Sequence, residues 1–227
     1  MKKPFYAYRK RVAVDIETFG PKKRGALDPN VGDIALVQIA HENNNVEVLR
    51  LDRKSYWYIK KLLEDEEILK IGHNFKFDMK FFIKNKIYPR EVFDTMLASG
   101  VYYAGMGVDD ASEYFEAIKK DIDKEVEMLL DEAKELKKRT KATKFSHSLQ
   151  AVLKREMGVV IDKELQNSDW RKALSDMQLR YAVSDVALLI PLARVLWDKL
   201  QKDELDNVFM LECQLNEVLT YMELVGV

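Results

Sequence analysis

Hydrophobic and polar positions alternate in three stretches near the N-terminus, and each stretch predicts a strand. In residues 11–20, β-branched side chains alternate with small or polar ones, as in a strand with one buried face. A second such run covers residues 33–40, and the asparagine-rich turn at 41–45 leads into a third run over 46–51. Three successive strands joined by short connections predict an antiparallel meander.

Apolar residues at intervals of three and four then become the dominant pattern. We predict helices over residues 55–68, from 74 onward, over 92–103, from 146 onward, over 175–201 and over 204–224, and a short buried strand at 68–72. We expect Ser146 to cap the helix that follows it. Strands followed mainly by helices predict an α/β fold, with a mixed central sheet flanked by helices.

Composition excludes several classes of protein. The 227 residues are 47% hydrophobic and 33% charged, which indicates a globular domain. One cysteine and three histidines exclude an internal disulfide and a cysteine-rich zinc site, and with no secretory signal visible they predict an intracellular protein. No apolar run reaches the roughly 20 residues that span a bilayer, so we expect no membrane partner. With 37 basic and 38 acidic residues, nucleic-acid binding would depend on local patches.

Two acidic residues lie two positions apart in the first predicted strand. Asp15 and Glu17 therefore point to the same face, which brings two like charges close together. An ordinary solvated strand face is the alternative interpretation, and on its own the pair is weak evidence of function.

A second polar pair opens the helix that follows residue 72. Asn74 and Asp78 are four positions apart, so they share one face near the start of the helix. Asn74 could simply cap the helix, and Asp78 could be a solvated aspartate. The surrounding Phe77, Phe81 and Phe82 make much of this helix apolar, which favours a specific role for Asp78.

A third pair, Tyr181 and Asp185, has the same spacing in a later helix that continues into the apolar run 186–190. A carboxylate leading into a buried segment needs a partner or a metal, although it could also reach solvent. Together the three clusters supply four carboxylates and a phenol. Oxygen-only ligands suit Mg²⁺ or Mn²⁺, and two such ions roughly 3.5–4 Å apart could clamp a phosphate.

The three clusters, in this order and spacing, resemble the 3′–5′ proofreading exonuclease domain of family A (DNA polymerase I-like) DNA polymerases, in the DEDD superfamily with a tyrosine in its third motif. Residues 14–18, 72–78 and 181–185 carry the match, and 93–99, 147–149 and 169–170 match in between. The resemblance covers nearly the whole chain except about residues 105–145. It implies a ribonuclease H-like exonuclease fold and two-metal-ion hydrolysis of DNA from a single-stranded or frayed 3′ end to nucleoside 5′-monophosphates.

The resemblance also implies roles for the matched residues. Asp15, Glu17 and Asp185 would hold the metal that activates the attacking water, and Asp15 would bridge to a second ion that Asp78 holds through water. Tyr181 would orient the water. The positions expected to contact the terminal nucleotide are Thr18, His73, Asn74, Lys76 and Phe77.

Two segments depart from the family pattern. We predict an exonuclease domain over residues 1–203, with a helical insertion at about 105–145, and a C-terminal helix over 204–227 that resembles the start of a polymerase domain. That polymerase part does not follow in this sequence, so we expect it in the same or a partner chain. The insertion carries an apolar stripe made of Phe115, Ile118, Ile122, Val126, Leu129, Ala133 and Leu136. Its basic end at 134–144, and the basic run 22–24, could contact phosphates or could simply be solvated.

Two other functions remain open from the sequence. A ribonuclease D-like 3′–5′ RNA exonuclease shares the three motifs, and the polymerase-like C-terminal helix is what favours DNA. A catalytically silent nucleic-acid-binding module usually loses a carboxylate, whereas all four carboxylates and the tyrosine are present here.

Overall fold

The computed structural model describes residues 1–21, 25–104, 146–161 and 168–226, and within them a five-stranded sheet. The strands are β1 (Lys10–Phe19), β2 (Asp33–His41), β3 (Val46–Leu49), β4 (Ile68–Gly72) and β5 (Val92–Asp94). Their order is β3-β2-β1-β4-β5; β1, β2 and β3 are antiparallel neighbours, and β4 and β5 run parallel to β1. The predicted meander and the mixed sheet are confirmed.

Helices cover both faces of this sheet. A short 3-10 turn at Phe5–Ala7 precedes α1 (Tyr56–Glu64), α2 (Phe75–Lys84), α3 (Thr95–Tyr102), α4 (Leu149–Met157), α5 (Asp176–Ala187), α6 (Leu189–Lys202) and α7 (Asp206–Val225). Helices α1 and α2 contribute to the apolar cluster on one face, and α3, α4, α6 and α7 contribute to the cluster on the other. Within the described ranges, none of the helices has the length and apolar character needed to cross a membrane.

The alternation of β1 decides which face carries the acidic pair. Val12, Val14 and Ile16 are buried against α1 and α2, whereas Ala13 belongs to the cluster on the opposite face. Since side chains two apart share a face, Asp15 and Glu17 lie on the same face as Ala13.

The predicted start of the helix over residues 92–103 is wrong. Val92, Phe93 and Asp94 form β5, which pairs in parallel with Lys70, Ile71 and Gly72 of β4. Helix α3 begins only at Thr95. Three residues are too few to show the alternation of a strand, and their pairing with β4 decides their conformation.

The cap expected at Ser146 is also wrong. The Ser148 hydroxyl, and not that of Ser146, accepts the hydrogen bond from the Ala151 amide at the start of α4.

The single helix expected over residues 175–201 is two helices. Helix α5 ends at Ala187 and α6 starts at Leu189, with Leu188 between them. Pro191 explains the break, because proline has no N–H to donate to the Ala187 carbonyl and its ring would collide with that carbonyl. Proline is tolerated in the first turn of α6, where the amide would have no helical partner.

A fully buried lysine in β4 should make stability depend on pH. The Lys70 ammonium donates to the backbone oxygens of Asp65 (2.6 Å) and Ile68 (2.7 Å), and burial lowers the pKa of Lys70 to about 7. Above pH 7 the unfolded chain therefore holds a proton at Lys70 that the folded protein has lost, so Lys70 contributes a rise in the free energy of unfolding from pH 7 to about 10. Urea denaturation across this range should show this contribution as the difference between the parent and a variant that lacks the Lys70 ammonium.

Lys70→Met should abolish most of that rise, because no titratable group remains at the buried position. Lys61→Met, at an exposed position of α1, is the matched control and should keep it. Equal pH dependence in the parent and Lys70→Met would show that Lys70 stays protonated in the fold.

Candidate active site

A large cleft lies where β1 extends beyond its neighbour β4. Strand β4 pairs with residues 10–13 of β1, so Asp15 and Glu17 project past the last β4 pair. After β4 the chain turns at residues 73–74 into α2, and α5 packs across β1 and β2 from the other side. The resulting cleft has a volume of about 840 Å³.

Nearly all residues that the sequence predicted for the site line this cleft. They are Asp15, Glu17, Thr18, His73, Asn74, Phe77, Asp78, Tyr181 and Asp185. Lys76 is not among the lining residues. Its ammonium lies 2.7 Å from Glu223 of α7, which also pairs with Lys80. Residues from β1, α2 and α5, far apart in sequence, thus meet in one place.

A register shift in the sheet shapes the end of β1. Glu17 faces Leu36 and Thr18 faces Ile34, so the register skips Ala35. Such an irregularity changes the direction of the strand and of its side chains. The Thr18 hydroxyl donates to the Ala26 carbonyl (2.7 Å), which ties the end of β1 to the connection that follows it.

The acidic residues of the cleft influence one another electrostatically. Burial, the charge of Asp15 and the charge of Asp185 raise the pKa of Glu17 to about 9. Burial, followed by the charges of Asp15 and Asp94, raises the pKa of Asp78 well above its usual value. Burial and the charge of the neighbouring Asp185 raise the pKa of Tyr181. The tyrosine therefore stays protonated at neutral pH.

This donor set fits divalent cations of the Mg²⁺ type. Its oxygen ligands are carboxylates, and each raised pKa reflects burial together with a like-charge repulsion that a bound cation would relieve. In the part of the chain that the structure describes, no three Asp, Glu, His or Cys side chains are already arranged as a metal site.

A buried carboxylate that the sequence analysis did not select organises the α2 side of the cleft. Asp94 accepts hydrogen bonds from the amides of Asn74 (2.9 Å) and Phe75 (2.8 Å) in one helix start, and of Met96 (2.9 Å) in the next. Leu97 provides a fourth, longer bond of 3.4 Å. One side chain thus caps both α2 and α3. The cap on α3 is a local signal, an aspartate just before a helix, whereas the bonds to Asn74 and Phe75 join residues about 20 positions apart and leave no mark on the local sequence.

Asn74 does not cap α2 with its own side chain, so that alternative is wrong. Its backbone is left-handed (φ 57°), and its side chain makes no cap hydrogen bond. Asparagine tolerates this conformation better than most residues. Two residues before Asn74, position 72 requires a glycine, because an added Cβ there would lie 2.2 Å from the ring of Phe75.

His73 is oriented by the residue that follows Asp94. The Thr95 hydroxyl donates to the Gly72 carbonyl (2.9 Å), so its oxygen accepts from His73 Nδ1 (3.0 Å). The pair Asp94 and Thr95 therefore fixes the turn that presents His73 and Asn74 to the cleft.

Asp94→Ala should lower the free energy of unfolding by roughly 2–4 kcal/mol, because four amides at two helix starts lose their acceptor. Urea denaturation measures the change. Asp198→Ala is the control, since Asp198 is an exposed aspartate that accepts a single hydrogen bond from Tyr6. An Asp94→Ala midpoint equal to that of the parent would contradict this account.

Two predicted features fall outside the described residues. The insertion at 105–145 with its basic end, and the basic run 22–24, are not covered by the structure.

Comparisons with known proteins agree with this geometry. A model of the 3′–5′ exonuclease domain of family A DNA polymerases matches residues 5–201. DNA polymerase I of Aquifex aeolicus (strain VF5) is 31% identical over 174 residues, which are 76% of this chain and 23% of that protein. The chain thus spans about a quarter of the length of this curated relative.

Solved structures show the same fold. Brucella melitensis NrnC has a TM-score of 0.69 and 25% identity over 98% of this chain and 89% of its own; it is also known bound to pGG and with bound Mg²⁺. Escherichia coli RNase D, an exoribonuclease involved in structured RNA processing, has a TM-score of 0.66 and 17% identity over 93% of this chain and 45% of its own. These neighbours confirm the ribonuclease H-like fold. Because the family model covers most of the sequence, the chain belongs to the DEDD-type 3′–5′ exonuclease family of DNA polymerase I-like enzymes.

Proposed function

We propose that this chain is a metal-dependent 3′–5′ exodeoxyribonuclease of the proofreading type, which releases nucleoside 5′-monophosphates from a single-stranded or frayed DNA 3′ end. The observation that carries the proposal is the meeting of Asp15, Glu17, Asp78, Asp185 and Tyr181 in one cleft. Water attacks the phosphorus of the last linkage, the bond to the 3′ oxygen of the preceding nucleotide breaks, and that oxygen takes up a proton.

The carboxylates are the residues that would hold Mg²⁺ or Mn²⁺. Asp15, Glu17 and Asp185 would bind one ion, and Asp15 together with Asp78, through water, would bind the second. When bound, the two ions supply an acidified water near neutral pH and offset the charge that develops on the leaving oxygen. The Mg²⁺ found in the NrnC structure supports this choice of ion.

Tyr181 would orient the attacking water. Its side chain is 7% exposed, its ring lies 5.9 Å from that of Trp170, and the neighbouring Asp185 raises the pKa of its hydroxyl. Packing fixes the ring while the raised pKa keeps the hydroxyl protonated, so the phenol can donate one hydrogen bond and accept another.

The terminal nucleotide would lie between the end of β1 and the start of α2. Thr18, His73 and Asn74 offer polar groups there, and Phe77 offers an aromatic ring for the base or sugar. For Lys76 to contact the nucleotide, its ammonium would have to leave Glu223.

DNA is the substrate that we favour, because the curated relative is a DNA polymerase I. A ribonuclease D-like activity on RNA is the second candidate, and its support is the shared fold with RNase D and with the pGG-bound NrnC. A catalytically silent binding module is the least supported alternative, since the four carboxylates and the tyrosine come together.

Matched single-stranded DNA and RNA oligonucleotides with 5′ labels test these alternatives. With Mg²⁺ or Mn²⁺ we expect products shortened from the 3′ end, faster digestion of DNA than of RNA, and faster digestion of frayed ends than of paired ones. A chelator should stop the reaction. Equal activity without metal would overturn the proposal, and faster digestion of RNA would establish the second candidate.

We also propose that residues 1–203 form the exonuclease domain and that the C-terminal helix, residues 204–227, corresponds to the start of a polymerase domain, the rest of which would lie in the same or a partner chain and pack against this helix. Helix α7 supports this because one of its faces is exposed and apolar. Its side chains with 37–79% exposure are Val208, Leu211, Leu215, Val218, Leu219, Tyr221, Met222 and Val225. A continuous apolar face of this size is typical of an interaction site.

A further inference from the structure

One wall of the cleft carries a cation that the proposed chemistry does not use. Among the lining residues that the structure describes, Arg171 is the one permanently charged base, and it shares the cleft with its partner Asp169 and with Asp15, Glu17, Asp78 and Asp185. A strand of nucleic acid carries one negative charge per linkage. Away from the bound cations, such an acidic cleft repels the phosphates of the strand unless a fixed positive charge offsets the negative charge of the carboxylates.

Arg171 is held in place by its neighbours. Asp169 accepts two hydrogen bonds from it, at 2.9 Å from Nε and 3.1 Å from Nη2. Arg50 donates to the carbonyls on either side of Arg171, those of Trp170 (3.3 Å) and Lys172 (2.6 Å). Trp170, 2% exposed, packs against Tyr181 with the two rings tilted by 34° and their centres 5.9 Å apart. The guanidinium therefore has a position that is fixed relative to the catalytic tyrosine.

The guanidinium also keeps an edge for a ligand. Asp169 occupies the Nε edge, and no described residue accepts a hydrogen bond from Nη1. The side chain of Arg171 is 59% exposed, and its guanidinium carbon lies 5.9 Å from the centre of the Phe19 ring at the end of β1. Asp169 therefore orients the planar group without enclosing it, and phosphate oxygens are its preferred partners.

The position of Arg171 on the cleft wall indicates which linkage it would meet. Arg171 lies beside Phe19 and follows Trp170, which packs against Tyr181 of α5, whereas His73, Asn74 and Phe77 of the proposed nucleotide site lie at the start of α2. A phosphate bound by Arg171 would therefore belong to the strand that leads to the carboxylates and not to the linkage that is cut.

We propose that Arg171 binds a phosphodiester of the substrate strand upstream of the linkage that is cut, with Asp169 and Arg50 as its positioning residues. This inference rests on the proposed function. Arg171 contributes equally to the bound substrate and to the transition state, so it sets KM and not the rate constant for chemistry.

Steady-state digestion of a single-stranded oligonucleotide at several salt concentrations tests the proposal. Arg171→Ala should raise KM roughly tenfold, the effect of losing one charge-assisted hydrogen-bonded contact. Its kcat should stay within about twofold of the parent, and the slope of log KM against log salt should fall by about 0.7. Arg171→Lys should keep most of the slope.

Lys172→Ala is the matched control, because Lys172 is the next residue, is 81% exposed and also lies near Asp169, but does not line the cleft. It should leave KM and the salt slope unchanged. Equal increases of KM in Arg171→Ala and Lys172→Ala would overturn the proposal and indicate a general charge effect. An unchanged KM in Arg171→Ala would also overturn it, because Arg171 would then make no contact with the substrate.

Substrates with a single uncharged methylphosphonate linkage then locate the contact. In the parent, one upstream position should raise KM, and in Arg171→Ala the same substitution should have no further effect. An equal penalty in both proteins at every position would overturn the assignment. Loss of the proposed function is a separate outcome: it would show as a parent protein without metal-dependent digestion.

Discussion

Asp15→Asn and Asp185→Asn are each expected to lower the rate of metal-dependent digestion by on the order of a thousandfold, about 4 kcal/mol of transition-state stabilisation. Both substitutions keep the shape of the side chain and remove a charged oxygen ligand. Single-turnover digestion with saturating protein measures the rate. Asp176→Asn is the matched control, because it lies on α5 like Asp185 but is exposed at the first turn.

The same variants should respond differently to metal in thermal melts. Mn²⁺ should raise the Tm of the parent, because it binds the native carboxylate cluster and not the unfolded chain. In Asp15→Asn this increase should be small, and the metal-free Tm should rise because one like charge beside Glu17 and Asp78 is gone. A full metal-induced increase in Asp15→Asn, together with full activity, would remove Asp15 from the metal site.

Tyr181→Phe is expected to lower the rate constant for chemistry by roughly 10- to 100-fold, the scale of losing one group that positions a reacting water. The ring still packs on Trp170, so KM, metal affinity and Tm should change little. Rapid-quench measurement of a single turnover isolates the chemical step.

Tyr58→Phe is the control for Tyr181→Phe. The Tyr58 hydroxyl also bonds a carboxylate, that of Glu47 at 2.8 Å, but lies outside the cleft. An unchanged rate in Tyr181→Phe would assign the tyrosine a packing role, and an equal loss in both variants would indicate a general effect on the fold.

The sequence by itself determined the elements whose conformation depends on near neighbours. The β-branched alternation around Asp15 and Glu17 predicted β1 and the shared face of the two carboxylates. The spacing of four between Tyr181 and Asp185 placed both on one side of a helix, and in the structure both line the same cleft. These inferences needed only the periods of a strand and a helix. The order of the motifs indicated the family, which the comparisons confirm.

Only the tertiary structure decided how the motifs meet and what supports them. The short strand β5 forms because β4 lies beside it, and Asp94 becomes a double cap only because β5 places it between the starts of two helices. The position of Arg171 depends on hydrogen bonds from Arg50, more than 100 residues away. Such features combine residues that are distant in sequence. A local pattern reports a residue's own conformation but not which partners the folded chain brings to it.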